Sequence, residues 1–332
     1  APSCVVVRDS AEVHLMSIHE DGIPEAIPRD HVYGFAWSPK VFVRNIAAIP
    51  GVASARVVGI DGMPPTFESL LGHAIPNATF IDGEALVREA RAEKSAREID
   101  CVRAAVAVSE SALAAVTRAI APGVAEQTLS GIFCERAAEL GVTIPSAEPA
   151  FCASPRRSSP TAMTARAAAP RGLRDGRTLA SGDLVTLDAG VLVAGYEGGL
   201  ARTWPCGSDD RVRSAGRALH RRWRRAMDAM LDACIAGRPA GDLRSAHEAT
   251  GEPLPGIAIA SGIGLGVEPP RVGSDVPPQL EARFVLREGS VLALQTYIFE
   301  EGVGGVLGRE IVHLAASGPE LLTRMDHGPL GA

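Results

Sequence analysis

Five side chains that can exchange protons or carry charge lie in the part of the chain after residue 180. They are Asp188, Glu197, Glu268, Tyr297 and Arg309. Carboxyl and phenol groups act as general acids or bases when they contact a substrate, and a guanidinium pairs with carboxylates. The sequence therefore predicts these five residues as a catalytic set for proton-transfer chemistry.

Five further polar residues are predicted to contact a substrate: Gln295, Ser261, Tyr196, His313 and Arg202. Side chains two apart on a strand point to one face, so Tyr297 joins Gln295 and Glu197 leans into the space beside Gly199. His313 shares a face with Arg309 but lies about 13 Å along the strand, at ~3.3 Å per residue.

The candidates also have structural interpretations. Asp188 could be an ordinary carboxylate at a strand end, Glu197 an exposed hairpin residue and Tyr297 a core residue. Arg309 could pair with Asp188, or it could clamp a substrate carboxylate through two parallel hydrogen bonds. Ser261 has no neighbour in sequence that would activate it as a nucleophile. The residues alone leave these alternatives open.

The helices and strands that must position these residues are largely segregated along the chain. Helical patterns cover residues 41–48, 66–73, 84–120, 125–140, 210–235 and 240–249. Strand patterns cover residues 4–8, 12–17, 55–60, 79–81, 183–188, 291–299 and 309–315, with a hairpin partner in 191–204. Ser95 and Glu98 fit a capping box, and residues 145–181 are predicted to be irregular. Segregated helices and strands predict an α+β fold.

Composition bounds the class of protein. The chain has 332 residues, 46% of them hydrophobic, and a net charge of −6. It can bury a core, and its charge argues against nucleic acid or an anionic membrane as a partner. Residues 1–90 hold 11 Asp/Glu and 6 Lys/Arg, which places −5 of the charge there. The 6 cysteines form no CxxC pair, so we expect reduced thiols in a cytoplasmic protein.

Six short motifs, in order over residues 88–323, resemble the creatinase/aminopeptidase P/prolidase family. They are Arg91-x-x-Lys94-x-x-x-Glu98-Ile99, Pro122-Gly123-x-x-Glu126, Gly182-Asp183-Leu184-Val185 with Asp188-x-Gly190, Gly195-Tyr196 with Arg202-Thr203, Gly262 to Gly266 with Pro269-Pro270, and Gly318 to Thr323. The resemblance implies a pita-bread α+β catalytic-type domain at 91–332, preceded by a shortened α/β N-terminal domain at 1–90. It also implies a homodimer.

The family's hydrolases hold two divalent metals with two Asp, one His and two Glu. By the motifs, those positions fall on Asp188, Gly199, Ser261, Gln295 and Arg309, with Glu310 as the alternative for the last. Four negative charges are thus replaced by one negative and one positive charge. Hard dications need anionic oxygen ligands, so we expect no metal and no other cofactor. Residues 74–219 contain no histidine, so the creatine hydrolysis of the metal-free family member is not supported either.

We therefore predict a metal-independent enzyme that uses the former metal pocket for proton-transfer chemistry. C–N hydrolysis, elimination and cyclisation all fit, on a small polar substrate such as an amino-acid derivative of specialised metabolism. A non-catalytic binding or scaffold protein and an atypical metallohydrolase are the alternatives. Neither nucleic acid nor a membrane is expected as a partner.

Overall fold

The computed structural model describes residues 3–19, 21–156 and 177–331. The chain divides into two compact units, residues 1–88 and 89–332. Among the described residues, none of the helices is long and apolar enough to cross a membrane.

The first unit is a small α/β arrangement. Its elements are β1 (Ser3–Val7), β2 (Glu12–Ser17), β3 (Val32–Gly34), α1 (Pro39–Ala47), β4 (Val57–Ile60), α2 (Pro65–Ala74) and β5 (Thr79–Asp82). Strands β1 and β2 are antiparallel, while β4 and β5 pair in parallel through α2. Helix α1 buries Phe42, Val43 and Ile46, which recur on one helical face, against Met16 of β2. The predicted α/β character of the N-terminal domain is confirmed.

Helices of the second unit lie mostly where the pattern predicted them. They are α3 (Glu84–Ala92), which begins in the first unit, α4 (Ala96–Ala119), α5 (Glu126–Glu139), α6 (Asp210–Ala233), α7 (Gly241–Ala249), α8 (Pro278–Glu281) and α9 (Gly328–Gly331). The predicted single stretch 84–120 is two helices, because Ser95 starts a new one. Its hydroxyl accepts from the Glu98 backbone N–H at 3.4 Å, and the Glu98 carboxylate accepts from the Ser95 N–H at 2.7 Å.

An eight-stranded sheet forms the body of the second unit. Its strands are β6 (Ala150–Ala153), β7 (Leu184–Ala189), β10 (Leu200–Pro205), β11 (Ala260–Ile263), β12 (Val267–Val272), β13 (Val291–Glu300), β14 (Gly304–Ala315) and β15 (Gly318–Leu321). The order is β12-β11-β13-β14-β10-β7-β6, with β15 paired to β14. A short hairpin, β8 (Leu192–Val193) and β9 (Tyr196–Glu197), lies between β7 and β10.

Five strands of this sheet depart from the sequence predictions: β6, β11, β12, β14 and β15. Residues 150–153 lie within the segment predicted to be irregular, yet they pair with β7; residues 157–176 of that segment lie outside the described residues. Strands β11 and β12 were not predicted because each is short and borders glycines. Strand β14 begins at Gly304, five residues before its predicted start, because its first half is rich in glycine and gives a weak strand signal.

Two hydrophobic clusters attach helices to this sheet. Helix α6 buries Leu219, Trp223 and Met230 against β13 and β14. Helices α4 and α5 bury Leu113 and Phe133 against β7 and β10. Helices therefore pack against the sheet through both clusters, and this packing stabilises the register of its central strands.

Candidate functional site

One line of cross-strand neighbours crosses four strand pairings of the sheet. Ala150 pairs with Asp188, Asp188 with Ala201, Ala201 with Arg309, and Arg309 with Gln295. Residues directly opposite each other in antiparallel strands project from the same face. We call these five residues the polar row.

Arg309 ties the polar row together. Its Nη1 and Nη2 donate to the two carboxylate oxygens of Asp188 at 2.7 and 3.1 Å, and its Nε donates to Gln295 Oε1 at 2.8 Å. Gln295 in turn donates to the Ala258 carbonyl at 2.8 Å. The arginine spans an intervening strand, which is possible because that strand presents only the methyl group of Ala201. The predicted pairing of Asp188 with Arg309 is confirmed.

Strand alternation decides between Arg309 and Glu310 for the last ligand position. Glu310 projects from the opposite face, where it accepts from Arg202 at 3.0 Å, contacts His327 at 3.1 Å and accepts from the Thr323 hydroxyl. Burial raises the pKa of Glu310, but the His327 hydrogen bond and the Arg202 charge outweigh it and lower the pKa overall. Arg309 is therefore the residue at the site.

Arg202 lies with Glu310 and away from the polar row. Its side chain is 1% exposed and donates to the carbonyl oxygens of Met325, Ala201 and Arg309 as well as to Glu310. All its donors face the protein interior, so this placement does not support the predicted substrate contact.

Glu197 and Arg309 flank the position of the missing second aspartate. A Cβ placed on Gly199 would lie 3.5 Å from Glu197 Oε1 and 3.6 Å from Arg309 Nη1. Glu197 thus leans into the vacated space, as its position two residues before Gly199 predicted. Burial raises the pKa of the Glu197 carboxyl, and the nearby charge of Asp188 adds to this, while Arg309 and a hydrogen bond to Ser146 act in the other direction.

Four of the former ligand positions are partly exposed to solvent within strands that are mostly buried. Asp188 is the only residue of β7 outside the buried class, and Ser261 is the only such residue of β11. Gln295 is likewise the only such residue within 291–298, and Arg309 within 304–312. Solvent therefore reaches the polar side chains at these positions.

Mostly apolar residues lie on both sides of Gln295 and Arg309 along their strands. Tyr297 and Leu307 belong to one buried cluster, and Ala293 and Ile311 to another. Each of these lies two residues from Gln295 or Arg309, on the same face of its strand.

Tyr297 and Ser261 lie on the same face as the polar row. Tyr297 is 3% exposed, and its hydroxyl lies 3.0 Å from Ser154 Oγ. Ser261 is opposite Ala293 and therefore diagonal to Gln295, at about 7–8 Å.

Tyr196 and His313, the remaining predicted residues, make contacts away from the polar row. Tyr196 donates to Glu98 Oε1 at 2.7 Å and ties the β8–β9 hairpin to the start of α4. His313 contacts Glu320 at 3.1 Å, near the end of β14.

Glu268 forms a buried ion pair that sequence reasoning missed. Its partner is Lys94, and each side chain is 1% exposed. Burial lowers the pKa of the Lys94 amine, although the Glu268 carboxylate opposes this. A signal was present, since Lys94 is one of only two lysines in the chain. Glu268 is therefore closed to a substrate from outside in this conformation.

The fold agrees with the comparisons with known proteins. Metallopeptidase family M24 matches residues 100–315, and the chain belongs to this family. An Xaa-Pro dipeptidase of Pyrococcus horikoshii is 26% identical over 249 residues, which cover 73% of this chain and 65% of that protein. The match thus spans about two thirds of the relative's length.

Solved structures show the same architecture. A prolidase from Pyrococcus horikoshii OT3 matches with a TM-score of 0.73 and 22% identity, over 90% of this chain and 80% of its own. An Xaa-Pro dipeptidase from Bacillus anthracis matches with a TM-score of 0.76 and 20% identity, over 98% and 87%. The predicted α+β pita-bread fold is confirmed.

The residues at the ligand positions do not fit a dinuclear metal centre. Asp188 is the only carboxylate among the five, and both of its oxygens accept from Arg309. Gly199 has no ligating atom, and a guanidinium has no lone pair to give a metal. Within the described ranges, no three His, Cys, Asp or Glu side chains come together to hold an ion.

Removing Arg309 should destabilise the fold through the carboxylate that it leaves behind. Because the two side chains are 19% and 26% exposed, we expect Arg309→Gln to cost about 2–3 kcal/mol, below the ~3–5 kcal/mol of a fully buried pair. The double variant Asp188→Asn/Arg309→Gln should recover at least half of this in urea unfolding. Arg271→Gln, which breaks an exposed pair with Asp275, is the matched control. Equal losses for Arg309→Gln and Arg271→Gln would show that Asp188 is adequately solvated without its partner.

Proposed function

We propose that the protein is a metal-independent hydrolase-like enzyme that binds a small polar substrate over the Asp188–Arg309 pair. The observation that carries this proposal is that pair itself. It occupies two metal-ligand positions of an M24 fold, cancels its own charge, and stays open to solvent. A pocket that had lost all function would be expected to fill with apolar side chains, and this one keeps polar groups at four positions.

The geometry supports distinct roles for two residues. The Arg309 guanidinium can donate to a substrate carbonyl oxygen and stabilise the negative charge that develops there. Glu197, whose carboxyl pKa is raised by burial, takes a proton from an attacking water and returns it to the leaving nitrogen. A C–O bond forms as the C–N bond breaks. Cleavage of a C–N bond is also what the name of the Xaa-Pro dipeptidase relative denotes.

Metal content tests the metal-independent part of this proposal. After dialysis against Mn²⁺ or Co²⁺ and then metal-free buffer, we expect far less than one metal ion per chain. The variant Gly199→Asp/Ser261→His/Gln295→Glu/Arg309→Glu restores the family's ligand types and should retain metal, because it supplies four carboxylates and an imidazole. One or more ions per native chain, lost in Asp188→Asn, would contradict the proposal.

A non-catalytic binding protein is the second candidate. Tyr297 and Glu268, two of the five predicted catalytic groups, are buried, and Asp188 is already paired. Hydrolysis assays on a panel of small amides, with Glu197→Gln as the inactive variant, separate the two. Ligand binding by the native chain, with no more turnover than Glu197→Gln shows, would favour the binding protein.

A homodimer, a cytoplasmic location and a role in specialised metabolism remain predictions from the sequence.

A further inference from the structure

The polar row carries no net charge. Asp188 and Arg309 neutralise each other, and Gln295, Ala201 and Ala150 are uncharged. The Glu197 carboxyl also faces this spot, and burial raises its pKa. A ligand group with a formal charge would lose its water here without gaining a counter-ion, which is unfavourable.

Hydrogen-bonding capacity nevertheless remains. A guanidinium has five N–H donors, and the bonds to Asp188 and Gln295 use three of them. Each Asp188 oxygen accepts one bond from Arg309 and has a second lone pair. Free donors and free acceptors thus lie side by side on partly exposed groups.

Thr186 adds a second, independent sign of a missing polar partner. It lies two residues from Asp188 on the same face of β7 and is fully buried. Its hydroxyl has no hydrogen-bond partner among the described residues. A buried hydroxyl without a partner is unfavourable, so this face of β7 holds an unused donor and acceptor close to Asp188.

We infer that the ligand of this site is a small uncharged amide, whose carbonyl oxygen accepts from Arg309 and whose N–H donates to Asp188. An amide offers one acceptor and one donor close together without a formal charge, which matches the groups left over in the polar row. This inference rests on the proposed function for the location of the site, and it adds the chemical class of the ligand. Lactams, cyclic dipeptides and ureides belong to that class.

Three related probes test the ligand class by calorimetry on the native chain. Cyclic diglycine is uncharged, glycylglycine carries both charged termini, and N-acetylglycine is an anion. We expect cyclic diglycine to bind at least tenfold more tightly than either charged probe. Equal or tighter binding of glycylglycine or N-acetylglycine overturns the inference, and so does the failure of all three to bind at millimolar concentration.

Two glycine variants locate the binding. Gly199→Asp places a carboxylate beside Arg309 Nη1, so it should take up the free donors and weaken cyclic diglycine at least tenfold. Gly131→Ala on α5, where a Cβ meets nothing within 4 Å, is the control and should bind as the native chain does. Unchanged affinity in Gly199→Asp would place the ligand elsewhere and overturn the inference. Metal content is measured separately, so failure of the metal-independent proposal and failure of the ligand class give different results.

Discussion

Replacing Glu310 by glutamine should be among the most destabilising single changes in this protein, at about 3–5 kcal/mol. The substitution keeps the shape of the side chain but removes the carboxylate that pairs with Arg202 in the described part of the chain. Arg202 is 1% exposed and Glu310 6%, so the guanidinium would remain charged in the interior without a counter-ion. Urea unfolding followed by circular dichroism measures the loss.

The matched control is the same substitution ten residues further along. Glu320 pairs with Arg103 at 2.8 Å, but both side chains are more than 40% exposed, so Glu320→Gln should cost less than about 1 kcal/mol. The double variant Arg202→Met/Glu310→Gln should recover only part of the loss. Arg202 also donates to three backbone carbonyls, which the methionine would leave without partners. Similar losses for Glu310→Gln and Glu320→Gln would contradict this account.

The second large effect concerns Lys94 and Glu268. Lys94→Met should cost about 3–5 kcal/mol, because it leaves the Glu268 carboxylate 1% exposed and unpaired. Here the double variant Lys94→Met/Glu268→Gln should recover most of the stability. Burial already lowers the pKa of Lys94, which indicates that the pair does not fully offset the loss of hydration. The glutamine oxygen can still accept from the Leu265 backbone N–H, at 3.3 Å in the native chain.

Lys40 provides the control, since it is the other lysine of the chain and is exposed. We expect Lys40→Met to change the free energy of unfolding by less than about 0.5 kcal/mol. A double variant at 94 and 268 that is no more stable than Lys94→Met alone would show that packing of the lysine stem, and not the unpaired charge, accounts for the loss.

These two pairs also show why some of the predicted site residues lie away from the polar row. Arg202 was predicted from the hairpin motif, and Glu310 was the alternative to Arg309 for the last ligand position. In a strand, a neighbour in sequence projects from the opposite face, so both residues lie on the face opposite to Ala201 and Arg309. Glu268 was chosen as an acid beside a proline motif, and its partner lies 174 residues away in sequence.

The sequence by itself determined most elements and the content of the former metal site. Capping residues, helical periodicity and strand alternation depend on near neighbours, so they can be read locally, as at Ser95 and Glu98. The order of the motifs was enough to place Asp188 and Arg309 at ligand positions. It left open whether Arg309 would pair with Asp188 or bind a substrate carboxylate, and the structure shows the pairing.

Only the tertiary structure decided which polar groups face solvent and which are buried against each other. The register of β7, β10 and β14 sets a single alanine between Asp188 and Arg309, and this lets the arginine cross a strand to reach its partner. The same register turns Glu310 and Arg202 to the opposite face of the sheet. Cross-strand register arises from packing between segments distant in sequence, and burial follows from that packing, so neither can be read from local patterns.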